Sequence, residues 1–291
     1  MFFGNKDITL VLGGIGIKGV ANFGVLRAFR EYRVPVRKII STGLSSVAAL
    51  QYAAGMDPFS LVNSITRFFI RHEKELWGLG KIGGIEDGIA TRGFSYFLRA
   101  RLFCKSNVRR ISILTWDKLD TILKDHFSSI EGNSSEVKVA VSAIDLENDS
   151  EVLLEKENNI ERLKVSLSFP GILPPVEIDG KRYINSSLFC ELPLGTISDN
   201  DRPIVAVDIP SKVQQPRIRS LIDVMSYADE ARSCRMKEIM LQKADHIITL
   251  DNLEGFHWGD FIHTPRLVQQ AYRETSELIA NTGLELKTEM G

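Results

Sequence analysis

Residues 43–47 read Gly-Leu-Ser-Ser-Val and follow a short apolar run, so Ser45 falls where a strand should give way to a helix. A serine at such a turn can serve as an acyl nucleophile, because a sharp strand-to-helix elbow raises its hydroxyl above the sheet. Gly43 and Ser45 satisfy the first part of a G-x-S-x-G pattern and Val47 departs from its end. The alternative is that Ser45 is a helix N-cap, its hydroxyl accepting from a backbone N–H. One strand earlier lies a second candidate, Gly13-Gly14-Ile15-Gly16-Ile17-Lys18-Gly19. Backbone N–H groups in such a loop present partial positive charge. Gly14, Ile15 and Gly16 could therefore hold the oxyanion of a tetrahedral intermediate.

Other readings compete for the loop. A Walker loop needs Gly-Lys-Ser/Thr, and here Gly19 follows Lys18. A dinucleotide fingerprint is spelled by Gly14, Gly16 and Gly19, but the second strand closes on Ser41-Thr42-Gly43 rather than on an acidic residue that would hold a ribose. A plain tight turn needs no ligand at all. The oxyanion reading gains from its neighbour, since loop and elbow sit on consecutive strand-to-helix units.

The elements that would position these residues follow from periodicity. Residues 8–12 are a short apolar run that predicts a buried strand, 36–41 read as a second, and helical spacing runs over 20–32 and 46–54. Further strands are expected at 137–144, 151–154, 176–178, 183–184, 204–207 and 246–250, the last two in the core. An Asp179-Gly180 hairpin turn should join the two short ones. Helices are expected near 217–243 and 264–282. Buried strands alternating with helices predict a three-layer α/β/α sandwich around a mainly parallel central sheet. With no repeat or low-complexity linker, residues 1–291 are read as one domain, within which the aromatic-rich segment 59–135 is a helical insertion or lid.

The 291 residues carry 36 basic and 37 acidic side chains, a formal charge of −1, so bulk charge favours neither nucleic acid nor an anionic surface. Cys104, Cys190 and Cys234 lack any C-x-x-C spacing, which speaks against a disulfide framework or a zinc site and suits a reducing cytoplasm. No secretory leader or membrane-spanning run of roughly 18 apolar residues is visible. Neither a cofactor nor a metal is expected.

Taken together, Thr9 to Gly55, Ala143-Ile144-Asp145-Leu146, the run from Ser168 to Val176, and Asp179-Gly180-Lys181-Arg182-Tyr183 resemble the patatin-like phospholipases. The resemblance implies a Ser–Asp dyad in which serine attacks the acyl carbonyl, aspartate activates it, and the glycine loop holds the oxyanion. Its match for the nucleophile is Ser45, with Gly43, Ser46 and Val47 completing the elbow. The dyad aspartate should follow Tyr183-Ile184, where this chain has Asn185. An amide can accept a hydrogen bond but cannot take the proton, a loss of about 10²–10⁴-fold in general-base catalysis. Ile15 also stands where the family has glycine, and a β-branched residue resists positive φ. Val47 adds bulk where glycine would let the helix approach the sheet.

Asp145 and Asp179 are replacement bases to consider, as are His72, His126, His246, His257 and His263, each of which is also readable as an ordinary core or surface residue. Deamidation at Asn185-Ser186 would regenerate an acid. Two functions follow. One is a lipid acyl hydrolase acting on fatty-acyl esters of phospholipids or related lipids through Ser45. The other is a pseudoenzyme that binds lipid or a protein partner without turnover. Nucleotide binding is a distant third, and a nucleic-acid partner is not expected. Residues 98–110 hold five positive charges among apolar residues, which suits peripheral membrane contact as well as a solvated helix face.

Overall fold

The computed structural model describes residues 7–56, 67, 70–71, 111–112, 114–127, 136–210, 218–253 and 263–282. The basic stretch 98–110, together with His72, His257 and most of 59–135, lies outside them. Chain order is β1 (Ile8–Leu12), a 3-10 turn (Gly16–Ala21), α1 (Asn22–Glu31), β2 (Val36–Ser41), α2 (Leu44–Ala53), α3 (Asp117–Phe127), β3 (Lys138–Asp145) and β4 (Ser150–Leu154). It continues through α4 (Asn159–Leu167), β5 (Val176–Ile178), β6 (Lys181–Asn185), β7 (Ile204–Asp208), α5 (Leu221–Leu241), β8 (His246–Thr249) and α6 (Thr264–Thr282).

The strands form one sheet of order β5-β6-β3-β2-β1-β7-β8, with β4 also paired to β3. The run β3-β2-β1-β7-β8 is parallel, whereas β4, β5 and β6 join antiparallel on the β3 side. Alternation sends β1 side chains into two cores. Leu10 and Leu12 pack on one face with Phe23, Leu26, Val47 and Val268 from α1, α2 and α6. Val11 packs on the other with Leu192, Leu194, Ile204 and, from α5, Met240 and Leu241. A strand buried on both faces must be apolar throughout, which is why β1 reads Ile-Thr-Leu-Val-Leu.

The β5–β6 hairpin turns on Asp179 and Gly180, both at positive φ (50° and 76°), the pair of conformations that a two-residue type I′ loop needs. Two expectations require revision. β8 is the edge of the sheet rather than a core strand, and Ile247 is 48% exposed. Helix α4 adds to the expected elements, and Asn158 caps it by accepting from the Glu161 N–H at 2.8 Å. The Asn-x-x-Glu spacing and the apolar Ile160, Leu163 and Leu167 were the readable signals.

α1 and α6 cross closely at Gly24. A Cβ placed there would lie 2.2 Å from the Val268 carbonyl oxygen and 2.7 Å from the Tyr272 nitrogen, so only glycine permits this approach. The crossing holds the glycine loop and α1 against the C-terminal helix, since α6 also packs on the 3-10 turn.

Candidate active site

β1 and β2 are neighbouring parallel strands, so the loops after them emerge side by side at one end of the sheet. That juxtaposition brings the glycine loop and the elbow together. The loop is pinned from within: Asn22 donates from Nδ2 to the carbonyls of Gly13 (2.8 Å) and Gly19 (3.2 Å). The Lys18 ammonium, nearly buried, donates to the Pro210 carbonyl at 2.9 Å and ties the loop to the end of β7. Positive φ falls on Gly14 (123°) and Gly16 (61°), whereas Ile15 lies at φ −82° and ψ 131°. The steric objection to Ile15 therefore lapses: the two glycines take the left-handed conformations and the β-branched residue stays extended. Val47 likewise fits, 1% exposed in the core beneath α2.

At the elbow, Gly43 is the residue that turns the chain, with φ 61° and ψ −145°. Ser45 lies in the first turn of α2 and is fully buried. Its Oγ stands 2.5 Å from the Thr42 carbonyl and 3.0 Å from the Leu12 carbonyl, so its single proton is directed to the backbone. The Ser46 hydroxyl is buried as well.

Asn185 reaches the elbow through strand pairing. Ser41, the last residue of β2, is opposite Val141, while Asn185 is opposite Ala143. β4 occupies the other edge of β3 over the same residues, so β6 takes up the edge that β2 vacates, level with residue 43. The Asn185 side chain is 2% exposed and well bonded. Its Oδ1 accepts from the Ser187 N–H at 2.6 Å and from the Thr42 hydroxyl at 3.3 Å. Its Nδ2 donates to the Ser166 carbonyl in α4. The arrangement identifies the amide orientation, because turning it over would set two carbonyl oxygens against each other. None of these bonds joins Asn185 to Ser45.

A chain of buried hydroxyls leads away from the elbow. Thr42 and Ser186 share a hydrogen bond at 2.8 Å, the Ser186 hydroxyl donates to Ser142 at 2.7 Å, and Ser142 donates to the Glu151 carboxylate at 2.7 Å. Burial pushes the Glu151 carboxyl upward, against the opposing pull of the Ser142 hydroxyl and the Lys243 charge. Thr42, Ser142, Ser166, Ser186 and Glu151 were not anticipated. Serines and threonines carry no pattern in sequence that distinguishes a buried network from a solvated surface.

The other candidates sit elsewhere. Asp145 accepts from the backbone N–H groups of Glu147 (2.9 Å) and Asn148 (3.1 Å) and from the Asn148 side chain (2.7 Å). Those bonds, the Asn148 side chain foremost, hold its carboxyl below the ordinary carboxylate range. Asp179 forms the hairpin turn. His246 begins β8, at the opposite end of the parallel sheet from the elbow, and His263 immediately precedes α6. His126 lies in α3. The end of β2, where a ribose-binding acid would stand, is taken by Ser41 and Thr42, and Ser41 bonds instead to the Ala140 carbonyl at 3.5 Å.

Comparison with known proteins agrees with this architecture. The family model described as patatin-like phospholipase matches residues 10–195, a span from β1 through the glycine loop and elbow to just beyond Asn185. The chain belongs to the patatin-like phospholipase family. Lysophospholipase NTE1 of Debaryomyces hansenii is 22% identical over 208 residues, 71% of this chain but 12% of that protein. An uncharacterized NTE family protein of Mycobacterium bovis is 24% identical over 215 residues, 71% of this chain and 32% of that protein. The chain therefore spans only a minor part of the curated relatives it matches. Among solved structures, VipD from Legionella pneumophila superposes with a TM-score of 0.52 at 12% identity, covering 96% of this chain and 67% of VipD. The shared feature at that identity is the patatin-like fold.

Proposed function

We propose that this patatin-like protein binds fatty-acyl lipids, phospholipids or lysophospholipids among them, without turning them over by serine–aspartate chemistry. The observation that carries the reading is the bonding of the two residues expected to react. Ser45 is buried with its hydroxyl on two backbone carbonyls, and the Asn185 amide bonds to Ser166, Ser187 and Thr42 rather than to Ser45. Ester hydrolysis requires a hydroxyl that loses its proton to a base as it attacks. Here neither half of that exchange is provided.

The lipid class is supported by the family and by the lysophospholipase name of the relatives. It is supported too by Phe189, 55% exposed four residues past Asn185, an apolar surface on which an acyl chain can rest. We read residues 1–291 as one domain with 59–135 inserted. Among the described residues no helix is long and apolar enough to cross a membrane, and we propose a cytoplasmic protein that meets membranes peripherally through 98–110.

The test pairs hydrolysis with binding. Wild type and Ser45→Ala are assayed on a p-nitrophenyl ester and on a lysophospholipid, and each is titrated with a fluorescent fatty-acyl lipid. Binding by both proteins with no Ser45-dependent hydrolysis is the expected result. Hydrolysis by wild type that disappears in Ser45→Ala would instead make the chain a lipid acyl hydrolase.

A further inference from the structure

We infer that the nucleophile position of this elbow is residue 43, where the chain has glycine, and that Ser45 occupies a packing position two residues beyond it. Three observations converge. First, the strained residue of a nucleophile elbow is the one at the apex of the strand-to-helix turn, and that residue is Gly43 at φ 61° and ψ −145°. Second, a side chain at Gly43 would project between the two other parts of the site. Its Cβ would stand 3.6 Å from Asn185 Nδ2, 3.6 Å from the Gly14 carbonyl oxygen and 3.8 Å from Ser187 Cβ. These are ordinary contact distances, so the space for a side chain has been kept. Third, residues 41–45 read Ser-Thr-Gly-Leu-Ser, the G-x-S-x-G pattern with glycine and serine interchanged at every fixed position.

The interchange explains why Ser41 and Ser45 are internal. Both fall where that pattern has glycine, and both are fully buried. The Ser45 backbone is closely packed, since a Cβ on Gly19 would lie 3.1 Å from its nitrogen. Their hydroxyls find backbone carbonyls as partners, those of Ala140 for Ser41 and of Leu12 and Thr42 for Ser45. Both members of a dyad are thus replaced in register, the hydroxyl by Gly43 and the carboxylate by Asn185. The inference rests on the non-hydrolytic reading and sharpens it: the scaffold keeps the place for the reaction and lacks only its two reacting groups.

The experiment is restoration. Wild type, Asn185→Asp and the double variant Gly43→Ser/Asn185→Asp are incubated at pH 8 with a fluorophosphonate probe, and the labelled position is assigned by peptide fragmentation. In the reaction the serine oxygen forms a bond to phosphorus, fluoride leaves, and the hydroxyl proton passes to the carboxylate introduced at position 185. Labelling of the double variant at position 43 is expected, at least about 10²-fold faster than in Gly43→Ser assayed beside it, where the amide at 185 cannot act as a general base; wild type and Asn185→Asp have no nucleophile at that position. Labelling at Ser45 in the wild type would overturn the non-hydrolytic reading as well. Labelling at Ser45 in Asn185→Asp alone, or a folded double variant that stays unlabelled, would overturn the assignment of residue 43 and leave that reading intact. A second measurement uses melting temperatures. Gly43→Ser and Asn185→Asp should fail to add by roughly 2–4 °C, in the stabilising direction, because the new hydroxyl meets the new carboxylate. Ser45→Ala and Asn185→Asp should add, and coupling of that second pair in place of the first would place the dyad at Ser45.

Discussion

Asn185→Asp, the substitution that nominally repairs the dyad, should destabilise the protein, and should do so in a pH-dependent way. The amide makes two kinds of bond, accepting at Oδ1 from Ser187 and Thr42 and donating at Nδ2 to the Ser166 carbonyl. A carboxylate preserves the first kind and inverts the second, setting an oxygen against an oxygen at a residue that is 2% exposed. Losing one buried hydrogen bond and holding an unpaired charge there costs about 3 kcal/mol. When protonated, the new carboxyl can donate to Ser166, and the cost falls to about 1 kcal/mol or less. The folded-state pKa of the introduced acid is therefore raised above its unfolded value of about 3.9. The stability conferred by its protonated form is present below that value and is lost as pH rises through the folded pKa. Urea denaturation of variant and wild type at pH 4 and pH 7.5 reads this directly. With m near 3 kcal/mol/M, the variant midpoint should trail wild type by about 1 M at pH 7.5 and by a third of that or less at pH 4. Equal deficits at both pH values, or a variant as stable as wild type at pH 7.5, would refute the reasoning and show that a carboxylate is accommodated beside the elbow.

Three further outcomes follow from other contacts. Gly24→Ala forces a methyl group against the Val268 carbonyl and should separate α1 from α6, lowering stability by about 3 kcal/mol in the same urea assay. Lys237 is nearly buried in α5 and bridges Asp208 at 2.9 Å and Glu191 at 3.5 Å, so Lys237→Met strands two carboxylates and should cost about 3–5 kcal/mol at pH 7. Burial pulls the Lys237 pKa down, but the charges of Glu191 and Asp208 outweigh it and hold it above the usual 10.5. Its contribution is complete below 10.5 and is lost as pH rises through the raised value, so wild type should lose stability above pH 10.5 more steeply than Lys237→Met. Glu151→Gln preserves an acceptor for Ser142 and removes a charge that burial disfavours. Because the Glu151 pKa is raised above 4.5, the stability of its protonated form is lost as pH rises through the folded value. The glutamine variant should match wild type at pH 4 and equal or exceed it at pH 7.5, and a glutamine variant clearly weaker at pH 7.5 would show that the carboxylate is needed in its ionised form.

The central strands were legible in the sequence because burial on both faces imposes apolar residues in succession: residues 8–12 and 204–207 are almost wholly apolar, and in 36–41 the buried end, Ile39-Ile40, carries the signal despite Arg37 and Lys38. The Asp179-Gly180 turn was legible for a different reason, since few residue pairs tolerate two successive positive φ angles. Edge placement was not legible in β8, where an apolar run reads the same whether a neighbour covers it or not. Helix α4 could have been recognised from its capping pattern, yet its role could not: Ser166 matters through a backbone carbonyl, which any residue carries.

The elbow shows where local reading stops. By itself the sequence determined the family framework, the adjacency of a glycine loop and a serine-bearing turn, and the absence of an aspartate after Tyr183-Ile184. Side-chain identity and spacing are one-dimensional properties, and those conclusions need nothing more. Which residue stands at the apex of the turn depends on where β2 ends and α2 begins, and a shift of two residues moves the reactive position from Ser45 to Gly43. Likewise, whether Asn185 faces a serine or a backbone carbonyl depends on β6 taking the edge of β3 that β2 leaves free. Hydrogen bonds reach only about 3 Å, so a register set by three strands and one helix, rather than any local motif, decided that the hydroxyl and the amide are satisfied by the backbone and not by each other.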